Sequence, residues 1–195
     1  MILPLLLAAA LQGAPAPQAV PATQAASAAP APTVDEHGLP CDTKDHLGLL
    51  LGPTTRDRIL EHRASFRDNT AKAETPAELK ARWMAVRKPM TLVVVFGSWC
   101  GDSQREVPDF LALAAEENPF IDVRYEGVGR EKKMADADWP KGAAPQSLTH
   151  VPTFYLFTLE PGGVLKPAGS IVENPPVKGQ KMAEAVVDMI EKAAK

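Results

Sequence analysis

Leu92-Val93-Val94-Val95-Phe96-Gly97-Ser98-Trp99-Cys100-Gly101-Asp102-Ser103 is the stretch on which the fold turns. Residues 91–96 are continuously apolar and rich in β-branched side chains, the pattern of a central strand covered on both faces. An aromatic follows, and then a cysteine where a helical pattern begins. The first turn of a helix carries unpaired N–H groups and partial positive charge, and both favour S⁻ over SH. A strand delivering a cysteine to a helix start therefore predicts a reactive thiolate. The second thiol of a C-x-x-C redox pair is missing, and Ser103 stands in its place.

Downstream, Val107, Phe110, Leu111 and Leu113 fall on one face of the helix that opens at Cys100, and Pro108 is expected to kink it. Residues 121–128 alternate as a second strand, with Val123 and Tyr125 on one face. Residues 129–149 are polar and irregular, with one helical turn expected around 132–138. Residues 153–159 and 164–172 flank Pro161-Gly162-Gly163 and predict an antiparallel hairpin. Residues 180–194 form an amphipathic helix with Met182, Val186, Met189 and Ile190 inward. Upstream, Thr54-Thr55 caps a predicted helix over 56–66. Thr75-Pro76-Ala77-Glu78 predicts a second helix, to about residue 87, opened by a capping box. The class is α/β: a mixed central sheet flanked by helices, with a helical N-terminal extension.

Composition narrows the function. The 195 residues carry a net charge of −3, 45% hydrophobic residues and two cysteines, with an isoelectric point near 5.8. That balance gives no reason to expect nucleic acid as a partner. Residues 1–11 are apolar and leucine-rich, too short for a bilayer span of roughly 20 residues, and predict a secretory signal over residues 1–16. No Lys or Arg occurs before Lys44, so the usual basic segment is absent. Residues 17–38 continue an Ala/Pro/Gln-rich tract that reads as a disordered tether. The helical extension is expected over 39–90 and the main domain over 91–195. A periplasmic or secreted protein follows, with no stable membrane insertion after signal removal.

In this order the chain resembles the thioredoxin-like superfamily. The resemblance rests on the strand 92–96, Trp99-Cys100-Gly101, Pro108 eight residues after the cysteine, Val151-Pro152-Thr153 before the hairpin, Gly169, and the final helix. More narrowly, Trp-Cys-Gly-Asp-Ser with Gly169-Ser170-Ile171-Val172-Glu173 is similar to a bacterial thioredoxin-family group with Ser or Ala at the second cysteine position.

The resemblance implies roles. Cys100 is the nucleophile. Ser103, one helical turn away, is expected to point its hydroxyl at the sulfur; the plainer alternative is an ordinary first-turn serine. Pro152 resembles the cis-proline beside the thioredoxin active site, with Val151 and Thr153 presenting backbone to an extended substrate. Trp99, Gly101 and Asp102 complete the substrate-facing motif, and Trp99 shields one side of the thiol or simply packs. Thioredoxins typically carry a buried Asp six residues before the first cysteine; Val94 holds that position here. With no second thiol to deprotonate, a buried acid there would cost desolvation and gain nothing.

Cys41, in Leu39-Pro40-Cys41-Asp42, lies outside the resemblance. It resolves an intermediate at Cys100, pairs between chains, or is an inert surface thiol. No cofactor and no metal site are expected, because His37, His46, His62 and His150 make no ligand pattern with the cysteines. The expected activity is exported monothiol thiol–disulfide exchange on protein or glutathione disulfides, resolved by an external thiol or by Cys41. The rival is a non-catalytic peptide-binding or chaperone-like module of the same fold. Oligomeric state is not encoded in any feature of the sequence.

Overall fold

In the computed structural model, which describes residues 34–35, 38–44 and 46–195, the apolar run forms β2 (Met90–Phe96), buried at every position. The expected signal segment lies outside the described residues, as does the tether except for Val34, Asp35 and Gly38. All described residues belong to one unit, Pro32–Lys195.

β2 is central in a five-stranded mixed sheet. It runs parallel to β3 (Ile121–Gly127) and antiparallel to β4 (Thr153–Glu160), with Val94 opposite Tyr125 on one side and Phe154 on the other. β5 (Val164–Val172) closes the predicted hairpin against β4 and forms one edge. The other edge is β1 (Gly52–Thr54), antiparallel to β3. β1 was not expected: three residues containing a proline carry too little pattern to mark a strand. Its pairing brings the chain ahead of residue 90 into the same sheet as the rest.

Alternation along β2 sorts the core into two faces. Leu92, Val94 and Phe96 pack with Ile59, Phe66, Trp83, Phe110 and Val186, all fully or nearly fully buried. Those partners come from α1 (Arg56–His62), α2 (Ala64–Lys72), α3 (Ala77–Ala85), α4 (Gly101–Leu113) and α5 (Met182–Ala194). Edge-on aromatic contacts tie this face together: Phe66 to Phe96 at 5.7 Å, Trp83 to Phe110 at 6.0 Å, and Phe110 to Phe154 at 5.6 Å. Val93 and Val95 point the other way, into a cluster with Cys100, Val128, Trp139, Val151, Tyr155 and Phe157. Residues 128–150 cover that second face with a single 3₁₀ turn, Asp136–Asp138.

Two helical expectations differ in detail. The helix over 56–66 is two helices, broken at Arg63, whose backbone is extended (φ −137°, ψ 137°). Arg63 is neither Gly nor Pro, so nothing local announced the break. Thr55 does cap α1, accepting from the Arg58 N–H at 3.2 Å. The capping box at Thr75 does not form: α3 starts after Pro76 with no side-chain cap. Its far end is closed instead by buried Asn118, whose Nδ2 donates to the Trp83 and Val86 carbonyls at 2.7 and 3.2 Å.

Pro108 lies buried inside α4. It has no N–H for the carbonyl of Gln104, four residues back. Asn69 of α2 supplies the missing donor, with Nδ2 at 2.8 Å from that oxygen.

Candidate active site

β2 ends at Phe96, and Gly97-Ser98-Trp99 turns the chain into α4, with Cys100 as its N-cap residue (φ −88°, ψ 124°). Several bonds hold this turn. Cys100 N–H donates to the Gly97 carbonyl at 2.9 Å, and Gln104 N–H donates to the Cys100 carbonyl at 3.0 Å. Gln104 Nε2 donates to the Ser98 carbonyl at 2.8 Å. Gly97 is required by crowding: a Cβ there would sit 2.8 Å from the Trp99 ring.

Cys100 keeps 9% of its surface exposed. Its Sγ lies 3.3 Å from the carbonyl oxygen of Val151, to which the thiol donates. The Val151-Pro152 peptide is cis, as the resemblance implied. Thr153 is anchored by Oγ1 donating to the His150 carbonyl at 2.7 Å, and Glu173 N–H donates to the Pro152 carbonyl at 2.7 Å. The structure thus brings Trp99, Cys100, Val151, Pro152 and Thr153 to one end of the sheet, where α4 begins and β4 starts. Cys100 as a whole is buried, more so than the solvent-facing position the sequence suggested.

Ser103 is fully buried. Its Oγ accepts from the Gly97 N–H at 3.2 Å, bracing the strand-to-helix turn from inside. The sulfur's hydrogen bond runs to Val151, so the serine's observed partner is backbone and not the thiol. Asp102, half-exposed in the first turn of α4, pairs with Arg105 at 2.7 Å. That pairing draws its charge into a cation–anion contact next to the thiol. Gly101 is exposed. Cys41 is half-buried with a free thiol, like that of Cys100.

Three participants had no sequence signal. Asp42, only 1% exposed, binds Arg130 through two hydrogen bonds, Nε to Oδ1 at 2.7 Å and Nη2 to Oδ2 at 2.6 Å. The guanidinium holds the Asp42 carboxyl at about 2, below its ordinary 3.8. The same guanidinium lies 4.7 Å over the Trp99 ring. Glu126 neighbours Val95 across the β2–β3 ladder and, opposite in sense to Tyr125, faces the Cys100 side of the sheet. It is 3% exposed, and its Oε2 has no hydrogen-bond partner. Burial, reinforced by Asp138, pushes its carboxyl up to about 7.

A βαβ start that presents one cysteine at a helix N-terminus, with a cis-proline ahead of a β-hairpin beside it, is the arrangement of a thioredoxin-like domain with one cysteine at its strand-to-helix turn. A family model described as Thioredoxin matches residues 54–144, from β1 through the cysteine turn to the cover of the second face. The match supports a thioredoxin-like superfamily assignment for this chain. Two solved structures are similar: a protein of unknown function from Pseudomonas aeruginosa at 21% identity, covering 72% of this chain and 85% of that one, with a TM-score of 0.45; and an HIV epitope scaffold at 20% identity, covering 72% and 86%, with a TM-score of 0.44. No curated protein matches the chain.

Proposed function

We propose that this protein is an exported monothiol thiol–disulfide oxidoreductase acting on protein or glutathione disulfides. The observation that carries the reading is the Cys100 sulfur at the N-terminus of a 13-residue helix, 3.3 Å from the carbonyl that precedes Pro152. A helix N-terminus stabilises developing negative charge on sulfur. In the first step the Cys100 thiolate attacks one sulfur of the substrate disulfide. That S–S bond breaks, one substrate thiolate leaves, and a mixed disulfide remains on Cys100. In a C-x-x-C protein the second thiol then displaces the other half. Ser103 cannot do so, and its oxygen serves the Gly97 N–H instead. The mixed disulfide waits for another thiol. An outside thiolate attacks the substrate sulfur, the S–S bond to Cys100 breaks, Cys100 leaves as thiolate and the outside thiol departs joined to the substrate in a new disulfide. Cys41 instead attacks the Cys100 sulfur, releases the substrate thiolate and leaves a Cys41–Cys100 disulfide for an outside thiol to reduce. Residues 1–16 direct export, and residues 17–38 tether the domain that acts in the periplasm or outside the cell. Trp99, Gly101, Asp102, Val151 and Thr153 form the rim that contacts substrate.

The test is mass spectrometry of the purified protein after exposure to glutathione disulfide. A single glutathione adduct, mapped to Cys100 and removed by added glutathione, is expected. In S103C the adduct is expected not to accumulate, because the introduced thiol displaces it. Absence of any adduct, under conditions where iodoacetamide labels Cys100, overturns the catalytic reading in favour of a peptide-binding module.

A further inference from the structure

The segment 38–51, read from sequence as the front of an extension, is fastened to the cysteine turn at two points. Leu50 N–H donates to Ser98 Oγ at 3.1 Å, and Ser98 is fully buried. The approach is close enough to require Gly127 opposite it: a Cβ there would lie 2.1 Å from the Leu50 carbonyl oxygen. Further back, Asp42 takes both Arg130 donors, and the guanidinium that it orients lies over the Trp99 indole. On its other edge the indole Nε1 donates to the Val128 carbonyl at 2.9 Å. Trp99 is the immediate neighbour of Cys100 and packs against the buried cluster that contains it. One cation thus spans 88 residues of sequence, gripping a buried carboxylate with its edge and an active-site ring with its face. A guanidinium suits this double task because it is planar and its donors are fixed in a fork.

We infer that Arg130 is a positioning residue for the thiol site: anchored by Asp42, it pins the Trp99 ring as a wall beside Cys100 and so limits which reagents reach the sulfur. The inference rests on Cys100 being the reacting thiol, and it makes segment 38–51 part of the site's architecture. The sulfur's own hydrogen bond runs to the Val151 carbonyl, ahead of Pro152, where the proposed substrate would approach. Removing the clamp frees the ring to swing, and the narrow opening over Cys100 widens.

The experiment measures the alkylation rate of Cys100 by iodoacetamide at fixed pH, in a Cys41→Ala background so that one thiol is counted. Four proteins are compared: the parent, the neutral pair Asp42→Asn/Arg130→Gln, Trp99→Ala, and all three changes together. The neutral pair avoids leaving a buried carboxylate unpaired. It is expected to raise the rate roughly three- to tenfold, the equilibrium worth of a partly desolvated cation–π contact. Trp99→Ala is expected to raise it at least as much, and the triple variant no more than Trp99→Ala alone. An unchanged rate in the neutral pair overturns the inference. So does a triple variant whose acceleration is the product of the other two, since independent effects multiply while effects through one ring do not. Arg130→Lys is the control against unfolding: it keeps a charge for Asp42 but loses the flat face, and is expected to accelerate alkylation with thermal stability close to the parent. Reaction with glutathione disulfide is followed in parallel. Its absence in the parent overturns the oxidoreductase reading, while the alkylation comparison still decides the clamp.

Discussion

The two faces of the sheet are built on opposite plans from the same strand. Leu92, Val94 and Phe96 meet five helices and a chain of edge-on aromatic rings. Val93 and Val95 meet a cysteine, a buried carboxyl and a largely irregular cover. The helix-packed face is apolar and regular, as stability requires. The other keeps an apolar cluster, with Trp139 edge-on to Tyr155 and Phe157, but adds to it a thiol and an acid with an unpaired oxygen. The difference teaches that one face is built to hold the fold while the other carries the groups of the proposed chemistry, and substitutions should separate the two.

The largest effect is expected at Cys100. Cys100→Ser should abolish adduct formation with glutathione disulfide altogether, with a melting temperature within a few degrees of the parent; residual exchange at Cys41 would blur the contrast between the faces. The converse substitution is Phe110→Ala. Phe110 is fully buried and touches Trp83 and Phe154. Truncation should cost about 3–5 kcal/mol in denaturant unfolding, while the Cys100 alkylation rate in the folded protein changes little. If that rate rises steeply instead, the helix-packed core is what closes the thiol site.

The same contrast explains what the sequence made legible. The apolar run 92–96, the helix after Cys100 and the hairpin after Pro152 announced themselves because buried elements repeat hydrophobic side chains at periods of two or 3.6. Cys100, Trp99 and Pro152 were legible because they sit where those elements meet. Segment 38–51 and residues 128–150 carry no period, so their contacts could not be read. Nothing in Pro40-Cys41-Asp42 specifies a partner at Arg130, and nothing in Tyr125-Glu126 marks the acid as buried until the strand's facing is known. Ser103 failed differently: its position on the first turn was legible, but its hydrogen bond went to Gly97, because a buried hydroxyl takes the nearest unpaired backbone donor.

Glu126 gives the next test. Its carboxyl is raised from 4.5 to about 7, first by burial and then by Asp138, with Arg124 opposing. A group raised on folding stabilises fully below its unfolded value, and that contribution is lost as pH rises through the folded value. The second face should therefore weaken between pH 5 and 8, by on the order of 3 kcal/mol at most, given about 1.4 kcal/mol per unit. Glu126→Gln keeps the shape and removes the titration, so its unfolding free energy should stay flatter over that range. Parallel curves for parent and variant would show that water already reaches the carboxyl.

The smallest expected effect lies where the two plans touch, along α4, which starts on the chemical face and runs into the packed one. Pro108 leaves the Gln104 carbonyl without its helical donor, and Asn69 fills the gap from α2. Gln104 is also the residue whose N–H caps onto Cys100 and whose side chain holds Ser98. Asn69→Ala should cost about 0.5–1.5 kcal/mol, the net worth of one such hydrogen bond, or a few degrees of melting temperature. Because Gln104 links both faces, the same variant should also change Cys100 alkylation by no more than about twofold if the turn is held by its own bonds. A larger change would mean that the position of the thiol depends on the packing of α2 against α4, and that the two faces are coupled through this one residue.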